Sequence, residues 1–272
     1  MKTNIKIIFG CLLAVSLATV AYGCKGKASN SDNGADTVAT AKPVGPTFNA
    51  DSAYAFTAAQ CDFGPRVMNS AAHDKCGKWI VEKFKEYGCD VQEQKADLKA
   101  YDGTVLKSTN IIARFNPEAK KRILICAHWD SRPWADNDPD STNHKKPVMA
   151  ANDGASGVAV MLELARQLQA DKKLKVGVDF VCFDAEDWGI PRWETRYQDD
   201  GDSWALGAQY YAKNFPTPVK PEFGILLDMV GGEGAQFYRE GMSVQFASDV
   251  VNRVWEAAKG AGFGSYFPDA VG

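Results

Sequence analysis

Several signals of common protein classes are missing from this sequence of 272 residues. It has no Cys-x-x-Cys pair and no cysteine and histidine spacing of the zinc-finger kind, so a thiolate-bound metal is not predicted. The 31 basic and 34 acidic residues are scattered, give a formal net charge of −3 and form no basic stripe. This pattern predicts no nucleic acid partner and no attraction to an anionic membrane surface. A small or peptidic substrate is favoured instead.

Histidine is scarce, and the cysteines do not pair evenly. The three histidines are His73, expected at the surface or as a helix cap, His144, expected in solvent, and His128, which ends an apolar run. Of the seven cysteines, five follow the N-terminal segment, so at least one thiol there has no partner within the domain. A bridge between Cys76 and Cys89 is allowed by their positions and stays open.

The N-terminal segment has the pattern of an export signal. Two lysines precede an apolar run from Ile7 to Val20, and the small-residue end Ala-Tyr-Gly comes directly before Cys24. We interpret residues 1–23 as a signal peptide, because the apolar run is too short to span a membrane. Its end resembles a bacterial lipobox, in which Cys24 would become the lipidated first residue. Ordinary cleavage with a free Cys24 is the alternative.

Composition divides the rest of the chain into two parts. Residues 24–48 are polar and poor in large apolar side chains, and we predict a flexible tether there. Residues 49–272 are predicted to form one α/β catalytic domain without an internal repeat. We expect the protein to be exported by a bacterial cell, as a periplasmic or outer-membrane-anchored lipoprotein. Its lipid would attach it to the membrane.

Strand patterns alternate with helical patterns along this domain. The helical segments, with apolar residues three and four apart, are AHDKCGKWIVEKFKEYG, GVAVMLELARQLQA and SWALGAQYYAKNF. The strand segments are CDVQEQKADLKAY, TVLKSTNIIARF, KRILICAH, KVGVDFVCFDAED and EFGILLDMVGG. The alternation predicts a three-layer α/β fold: a mixed, mostly parallel, twisted β-sheet with helices on both faces.

Three of the apolar strands end in side chains that bind metals. These are His128 and Asp130, then Asp184, Glu186 and Asp187, then Asp228. In open α/β sheets, ligands bind beyond the carboxyl ends of the strands. Several carboxylates in one partly buried cleft repel one another, and a divalent cation removes that cost. Histidine with carboxylates and without sulfur favours zinc.

Each acid taken alone has a simpler interpretation as a helix cap. Asp153, in AANDGASG, fits that interpretation because the helical segment GVAVMLELARQLQA follows it directly. A single strand-end acid would therefore predict little about function. Because three strands end in this way, a metal site is the stronger interpretation of the acids as a set.

Five motifs occur in an order and spacing that are typical of one family. They are HWDSRPWAD, AANDGASGVAVMLELAR, FVCFDAEDWG, SWALGAQYYA and LLDMVGG. Together they resemble peptidase family M28 and, within it, the bacterial glutaminyl cyclases. The resemblance implies the zinc aminopeptidase (phosphorylase/hydrolase-like) fold and a zinc-dependent cyclisation of N-terminal glutaminyl peptides to pyroglutamyl peptides, with release of ammonia. The implied partners are peptides or proteins with N-terminal glutamine.

The resemblance also implies roles for individual residues. Asp153 and Asp187 would bind one zinc ion, and Glu186 would transfer protons. His128 would bind metal only in a site with two zinc ions, as in the aminopeptidases of the family. Asp228 would hydrogen-bond within the site of a cyclase and bind metal in a peptidase. The Glu186-Asp187 pair resembles the cyclase branch, since the dizinc aminopeptidases usually have Glu-Glu there.

Two other functions stay open, and one departure from the family pattern is clear. An exported aminopeptidase with two zinc ions, or a non-catalytic peptide-binding protein on the same fold, would carry similar motifs. The resemblance places Trp193 at the wall of a substrate pocket, and ordinary packing within a loop is the alternative. The family's last zinc ligand is a histidine near the C-terminus, which this sequence lacks, so we expect the C-terminal part of the domain to be missing.

Overall fold

The computed structural model describes residues 45–170, 174–198, 201–216 and 219–272. The predicted signal peptide, the predicted lipidation site Cys24 and most of the predicted tether lie outside these residues. Within them, the strands of one five-stranded sheet are β1 (Asp90–Lys99), β2 (Val105–Phe115), β3 (Arg122–His128), β4 (Gly177–Phe183) and β5 (Gly224–Leu226). The α-helices of the same ranges are α1 (Ala50–Asp62), α2 (Ala71–Glu86), α3 (Ser156–Ala170), α4 (Leu206–Lys213) and α5 (Gly241–Gly260).

The sheet is mixed, as predicted. In space its strands follow the order β1-β2-β4-β3-β5. β2 lies antiparallel to both β1 and β4, whereas β3 lies parallel to both β4 and β5. Parallel and antiparallel pairings are therefore equally frequent in the described residues, whereas the sequence pattern predicts a mostly parallel sheet. The short connection at 100–104 explains part of the difference, because a tight turn between β1 and β2 allows only antiparallel pairing.

Helices cover both faces of the sheet, which confirms the predicted layers. On one face, side chains of β2, β3 and β4 pack with α2 and α3 in the larger core cluster. On the other face, Val181 and Phe183 of β4 pack with Tyr211 of α4. Because successive side chains of a strand point to opposite faces, this arrangement buries every residue of β4, which lies at the centre of the sheet.

β5 is shorter than the segment EFGILLDMVGG predicts. Its three residues, Gly224–Leu226, pair with β3. Soon afterwards Met229 takes a left-handed φ of 48°, which turns the chain away from the extended direction. Asp228 therefore stands just beyond the sheet and not within a strand.

Local signals explain most helix boundaries. Ser70 caps α2, because its Oγ accepts the N–H of His73 at 3.1 Å. Gly88, with a φ of 76°, turns the chain from α2 into β1, where the sequence predicts the end of the helix. α1 is not predicted from the sequence, because its apolar residues do not follow a helical repeat. Its start is nevertheless marked by Asn49, whose Oδ1 accepts the N–H of Ser52 at 3.0 Å.

The cysteines of the domain are free thiols. A bridge between Cys76 and Cys89, which the sequence allows, does not form, and both side chains are buried. Cys126 and Cys182 are also buried, as their apolar neighbours predict, whereas Cys61 is partly exposed. Over the described ranges, no helix combines the length and the apolar character that crossing a membrane requires.

Candidate active site

Three potential metal ligands come together beyond the carboxyl ends of the parallel strands. His128 is the last residue of β3, and Asp187 follows the end of the neighbouring strand β4. Asp153 lies in the turn Ala151–Ala155 that leads into α3. One ligand atom from each of these three side chains lies within 4.8 Å of the other two. Asp153 and Asp187 are the two acids that the resemblance implies as zinc ligands. His128 is a residue for which the resemblance implies metal binding only in a site with two zinc ions.

The backbone of the turn before α3 directs Asp153 towards β3. Asp153 is non-helical (φ −84°, ψ 104°), and Gly154 after it has a φ of 90°. A Cβ on Gly154 would lie only 3.0 Å from Cε1 of His128, so the position needs glycine for its conformation and for the space. Oδ1 of Asp153 lies 2.8 Å from Nε2 of His128. No backbone N–H of α3 donates a hydrogen bond to this carboxylate in the described residues, so the helix-cap interpretation is wrong.

Asp130 joins the ends of β3 and β4. Its side chain is fully buried, and its two oxygens accept the N–H groups of Glu186 at 3.0 Å and Asp187 at 3.1 Å. Burial opposes ionisation of Asp130, but its contact with His128 and these two amide bonds outweigh burial and lower its pKa. The sequence places Asp130 only as a strand-end acid, whereas in the structure it holds the Glu186-Asp187 pair in position.

Glu186, Asp187 and His128 have raised pKa values. Burial, followed by the charge of Asp130 and its neighbours, raises the pKa of Glu186 to about 7 and that of Asp187 to about 8. For His128, burial acts against the charged ring, but the nearby carboxylates of Asp130, Asp153 and Asp228 outweigh it and raise its pKa well above the usual value. Ionising Glu186 and Asp187 in this place is therefore costly for the chain alone, and a divalent cation would offset that cost.

Asp228 approaches the cluster from the third strand. Its Oδ1 lies 3.6 Å from Nε2 of His128, and this interaction lowers the pKa of Asp228. The chain after β5 can reach this position because Gly157 of α3 has no side chain. A Cβ on Gly157 would collide with the carbonyl oxygen of Leu227. The carboxylate of Asp228 is 39% exposed, so it stays accessible from solvent.

A cavity of about 280 Å³ opens beside Asp153 and Asp187. Its other lining residues are Arg132, Trp134, Ala135, Asp136, Asn137, Asp138, Val148 and Ala150. The guanidinium of Arg132 donates two hydrogen bonds of 2.6 Å to the carboxylate of Asp136 and one of 3.0 Å to the carbonyl oxygen of Asp187. Arg132 therefore fixes the wall of the cavity to the backbone of a candidate metal ligand.

Trp193 is connected to this cavity through Trp134. The side chain of Trp193 is 42% exposed, and its ring lies edge-on at 6.1 Å from that of Trp134. It also stacks at 6.1 Å on the ring of His144, which is partly buried and not fully solvated as the sequence suggests. Trp134 does line the cavity, although sequence reasoning did not select it. Its place in HWDSRPWAD, shortly after His128, is the signal that could have identified it.

His73 is buried, so its interpretation as a surface or capping residue is wrong. Its ring stacks on that of Trp129 at 4.1 Å, and its Nε2 lies 2.9 Å from Oδ1 of Asp184. Asp184 also accepts the N–H of Thr109 at 2.6 Å. The sequence does not reveal the burial of His73, because it depends on the orientation of α2, which turns His73 towards the sheet while the adjacent Asp74 stays exposed. The pair attaches α2 to the chain just before Glu186.

We predict that the pair of His73 and Asp184 makes stability depend on pH. Burial opposes the charged ring, but attraction to Asp184 outweighs it and raises the pKa of His73 above 6.5. The stabilising contribution is therefore complete below 6.5 and is lost as pH rises through the higher folded pKa. Urea unfolding should therefore be measured from about pH 6 to about pH 9. Over this range the difference in free energy of unfolding between wild type and His73→Gln should become smaller. A constant difference would contradict the ionic pair.

The residues of the cluster fit a zinc ion. Oδ2 of Asp187 is buried and has no hydrogen-bond partner in the part of the chain that the structure describes. An ionised oxygen in such a place is costly unless a cation is beside it. One imidazole and two carboxylates are also ligand types that catalytic zinc takes in proteins.

The sequence profile of Peptidase family M28 matches residues 110–271. The chain belongs to peptidase family M28. The matched range of this M28 chain contains the end of β3, the turn with Asp153, the acids after β4 and Asp228. The family assignment therefore rests on the same segments that form the candidate site.

Proteins similar to this chain include glutaminyl cyclases and an exopeptidase. The crystal structure of the glutaminyl cyclase from Tannerella forsythia is 51% identical, with a TM-score of 0.80, over 84% of this chain and 77% of that one. A Zn-dependent exopeptidase from Parabacteroides distasonis is 50% identical, with a TM-score of 0.81 and the same 84% and 77% coverage. The glutaminyl-peptide cyclotransferase of Drosophila melanogaster is 27% identical over 181 residues, 64% of this chain. The M28 chain spans 47% of that curated relative.

Proposed function

We propose that this M28 chain carries the active site of a zinc-dependent glutaminyl cyclase. Such an enzyme converts N-terminal glutaminyl peptides to pyroglutamyl peptides and releases ammonia. The observation that carries the proposal is the cluster of His128, Asp153 and Asp187, with Glu186 held next to it by Asp130. The 51% identity to a glutaminyl cyclase of solved structure supports the choice of reaction.

The ligand set supports one zinc ion per chain in the proposed cyclase. Asp153 and Asp187 would hold it. The resemblance gives His128 to a metal only in a site with two zinc ions, but in this structure its ring lies close enough to the same two acids to act as a third donor. When bound, the ion supplies a Lewis acid for the side-chain amide carbonyl of the substrate's glutamine. Asp130 and Arg132 keep Asp187 in place, since one accepts its N–H and the other donates to its carbonyl oxygen.

Glu186 is the residue that moves the proton in this proposal. Its pKa of about 7 lies near a neutral working pH, so its carboxylate can both accept and release a proton. It takes a proton from the substrate's α-amino nitrogen as that nitrogen attacks the amide carbon. It then delivers the proton to the departing ammonia as the old carbon–nitrogen bond breaks. Asp228, which contacts His128, orients groups at the charged tetrahedral stage.

Zinc content and ammonia release, measured on the same purified protein, test the proposal. We expect about one zinc per chain, and ammonia together with a pyroglutamyl product from a glutaminyl dipeptide. An alanyl dipeptide serves as the control substrate, because it has no side-chain amide to cyclise. Bound zinc with release of the free N-terminal residue from both dipeptides would contradict the cyclase.

A second candidate is an exported aminopeptidase with two zinc ions. The observation that favours it is the 3.6 Å separation between Oδ1 of Asp228 and Nε2 of His128, which lets both serve a second ion. Glu186 would then activate water for hydrolysis of the peptide bond. Two bound ions with peptide hydrolysis would support it. Peptide binding without either product would instead favour the third candidate, a non-catalytic binding protein.

We also propose that the protein is an exported bacterial lipoprotein whose partners are peptides or proteins with N-terminal glutamine. The support is the signal pattern of residues 1–23 followed by Cys24, which lies outside the described residues. The scattered charge of the chain adds no reason to expect nucleic acid. Labelling of the whole protein with a fatty acid, followed by detection of lipid on the N-terminal peptide, tests the anchor.

A further inference from the structure

Arg66 is a buried arginine whose guanidinium binds only backbone oxygens in the described residues. It lies between α1 and α2 and is 0% exposed. Its Nε donates to the carbonyl oxygen of Trp129 at 3.4 Å, Nη1 to that of Met149 at 2.6 Å and Nη2 to that of Ala150 at 2.7 Å. No carboxylate of the described residues lies within ion-pair distance of it.

Burying a guanidinium without a carboxylate partner carries a cost in free energy that other contacts must offset. Removing its charge from water is costly, and here three charge-assisted hydrogen bonds to carbonyl oxygens offset that cost. Two backbone bonds hold the same residue: its N–H donates to Oγ of Ser131 at 3.0 Å, and its carbonyl oxygen accepts the N–H of Ser131 at 3.0 Å. Arg66 is therefore bonded to the segment after β3 through both its backbone and its side chain.

The oxygens that Arg66 binds belong to the two segments that bring His128 and Asp153 together. Trp129 directly follows His128 at the end of β3. Ala150 opens the turn that carries Asp153 and takes a strained left-handed φ of 54°. Arg66 thus links the two segments behind the site without contacting a metal ligand side chain itself.

We propose that Arg66 is a positioning residue that holds the turn of Asp153 against the end of β3. It thereby sets the spacing between Asp153 and His128, and with it the affinity for the metal. The inference rests on the metal site proposed above. Lysine cannot replace Arg66 in this role, because a single ammonium group cannot reach three carbonyl oxygens in the planar geometry of a guanidinium.

The chain offers a matched control in Arg122. This arginine is also buried, at 1% exposed, but it lies at the start of β3, at the opposite end of the strand from His128. It pairs with Asp179 at 2.6 Å and donates to the carbonyl oxygen of Asn116 at 2.7 Å. Arg122→Lys should destabilise the fold as strongly as Arg66→Lys does, without disturbing the site.

The test compares three readouts in whole-chain variants: the melting temperature, hydrogen exchange of residues 149–155, and the zinc dissociation constant from chelator competition. For Arg66→Lys we expect faster exchange at 149–155 and a roughly tenfold weaker affinity for zinc, as for other outer-shell changes. For Arg122→Lys we expect a lower melting temperature with both other readouts unchanged. Should Arg66→Lys not fold, Ser131→Ala weakens the same link and should shift exchange and affinity in the same direction.

Two results would overturn the inference. One is unchanged exchange at 149–155 in Arg66→Lys and in Ser131→Ala. The other is an equal loss of zinc affinity in Arg66→Lys and Arg122→Lys, which would mean that general destabilisation accounts for the effect. A wild-type chain that binds no zinc would overturn the proposed metal site, and hydrogen exchange would still decide whether Arg66 holds the turn.

Discussion

Glu186→Gln should lower the kcat for ammonia release by about 10³-fold, a typical loss for a proton-transfer residue. Glutamine has the same shape as glutamate, but its amide cannot accept a proton from the substrate's amine. The backbone N–H of this residue would still bind Asp130, so Asp187 should keep its position. Zinc content should therefore equal that of wild type. The two measurements are initial rates of ammonia release and metal content of the same preparation.

Glu233→Gln is the matched control for this substitution. Glu233 lies in the exposed segment after Asp228, and its change to glutamine should leave both the rate and the zinc content unaltered. Full activity of Glu186→Gln would show that another group moves the proton. Loss of zinc from that variant would show that Glu186 holds the metal site together, and the reaction scheme proposed above would be wrong in either case.

Asp187→Asn should abolish zinc binding and stabilise the metal-free chain at the same time. The amide oxygen of asparagine is a far weaker zinc ligand than a carboxylate, so the affinity should fall by more than the roughly 10–100-fold loss typical of outer-shell changes. Ammonia release should fall with it. The second effect follows from the electrostatics of the empty cluster, in which the carboxylate of Asp187 is a cost to folding.

The sign of that second effect comes from the raised pKa of Asp187. Burial raises it from 3.8 to about 8, so the folded chain favours the protonated carboxyl while the unfolded chain ionises it. The stability that protonation contributes is present below 3.8 and is lost as pH rises towards about 8. Asparagine cannot titrate. The metal-free variant should therefore exceed metal-free wild type in stability by a margin that widens across this range.

Thermal unfolding with and without zinc separates the two effects. The melting temperature of wild type should rise when zinc is added, because the ion binds the folded state. The melting temperature of Asp187→Asn should not change. Asp138→Asn is the control, since Asp138 lines the same cavity but is not one of the three clustered ligands. It should respond to zinc as wild type does. A zinc response in Asp187→Asn would remove this residue from the metal site.

These expectations share one physical origin. The acids after β4 are held in a geometry that suits a cation and is unfavourable for the chain alone, because burial and then the charge of Asp130 raise the pKa of Asp187. Active sites commonly conflict with stability in this way, and a substitution that relieves the conflict removes function. Left-handed φ values of 54° at Ala150 and 52° at Ala185 also occur in the segments that lead to these acids, and such backbone strain is common at active sites.

Much of the fold follows from local patterns. The apolar runs that become β3 and β4 end at the same edge of the sheet because parallel strands must do so, and this alone predicted that His128 and the acids after β4 would meet. The position of Asp153 near these groups could be predicted for a related reason, because Asp153 precedes α3 and that helix begins at the same edge of the sheet. α1 was not predicted, because its side chains lack a helical repeat.

Local patterns in the sequence specify the order of the strands and of α2, α3 and α4, the edge at which the site lies and the residue types that make a metal site there, whereas they predict neither α1 nor α5. The groups that support the site are visible only in the folded chain: Asp130 across two strands, His73 beneath Trp129, Trp134 in the cavity and Arg66 behind the turn of Asp153. These contacts join segments far apart in the chain. Their hydrogen bonds and burial depend on distances in space, which no local pattern of residues encodes.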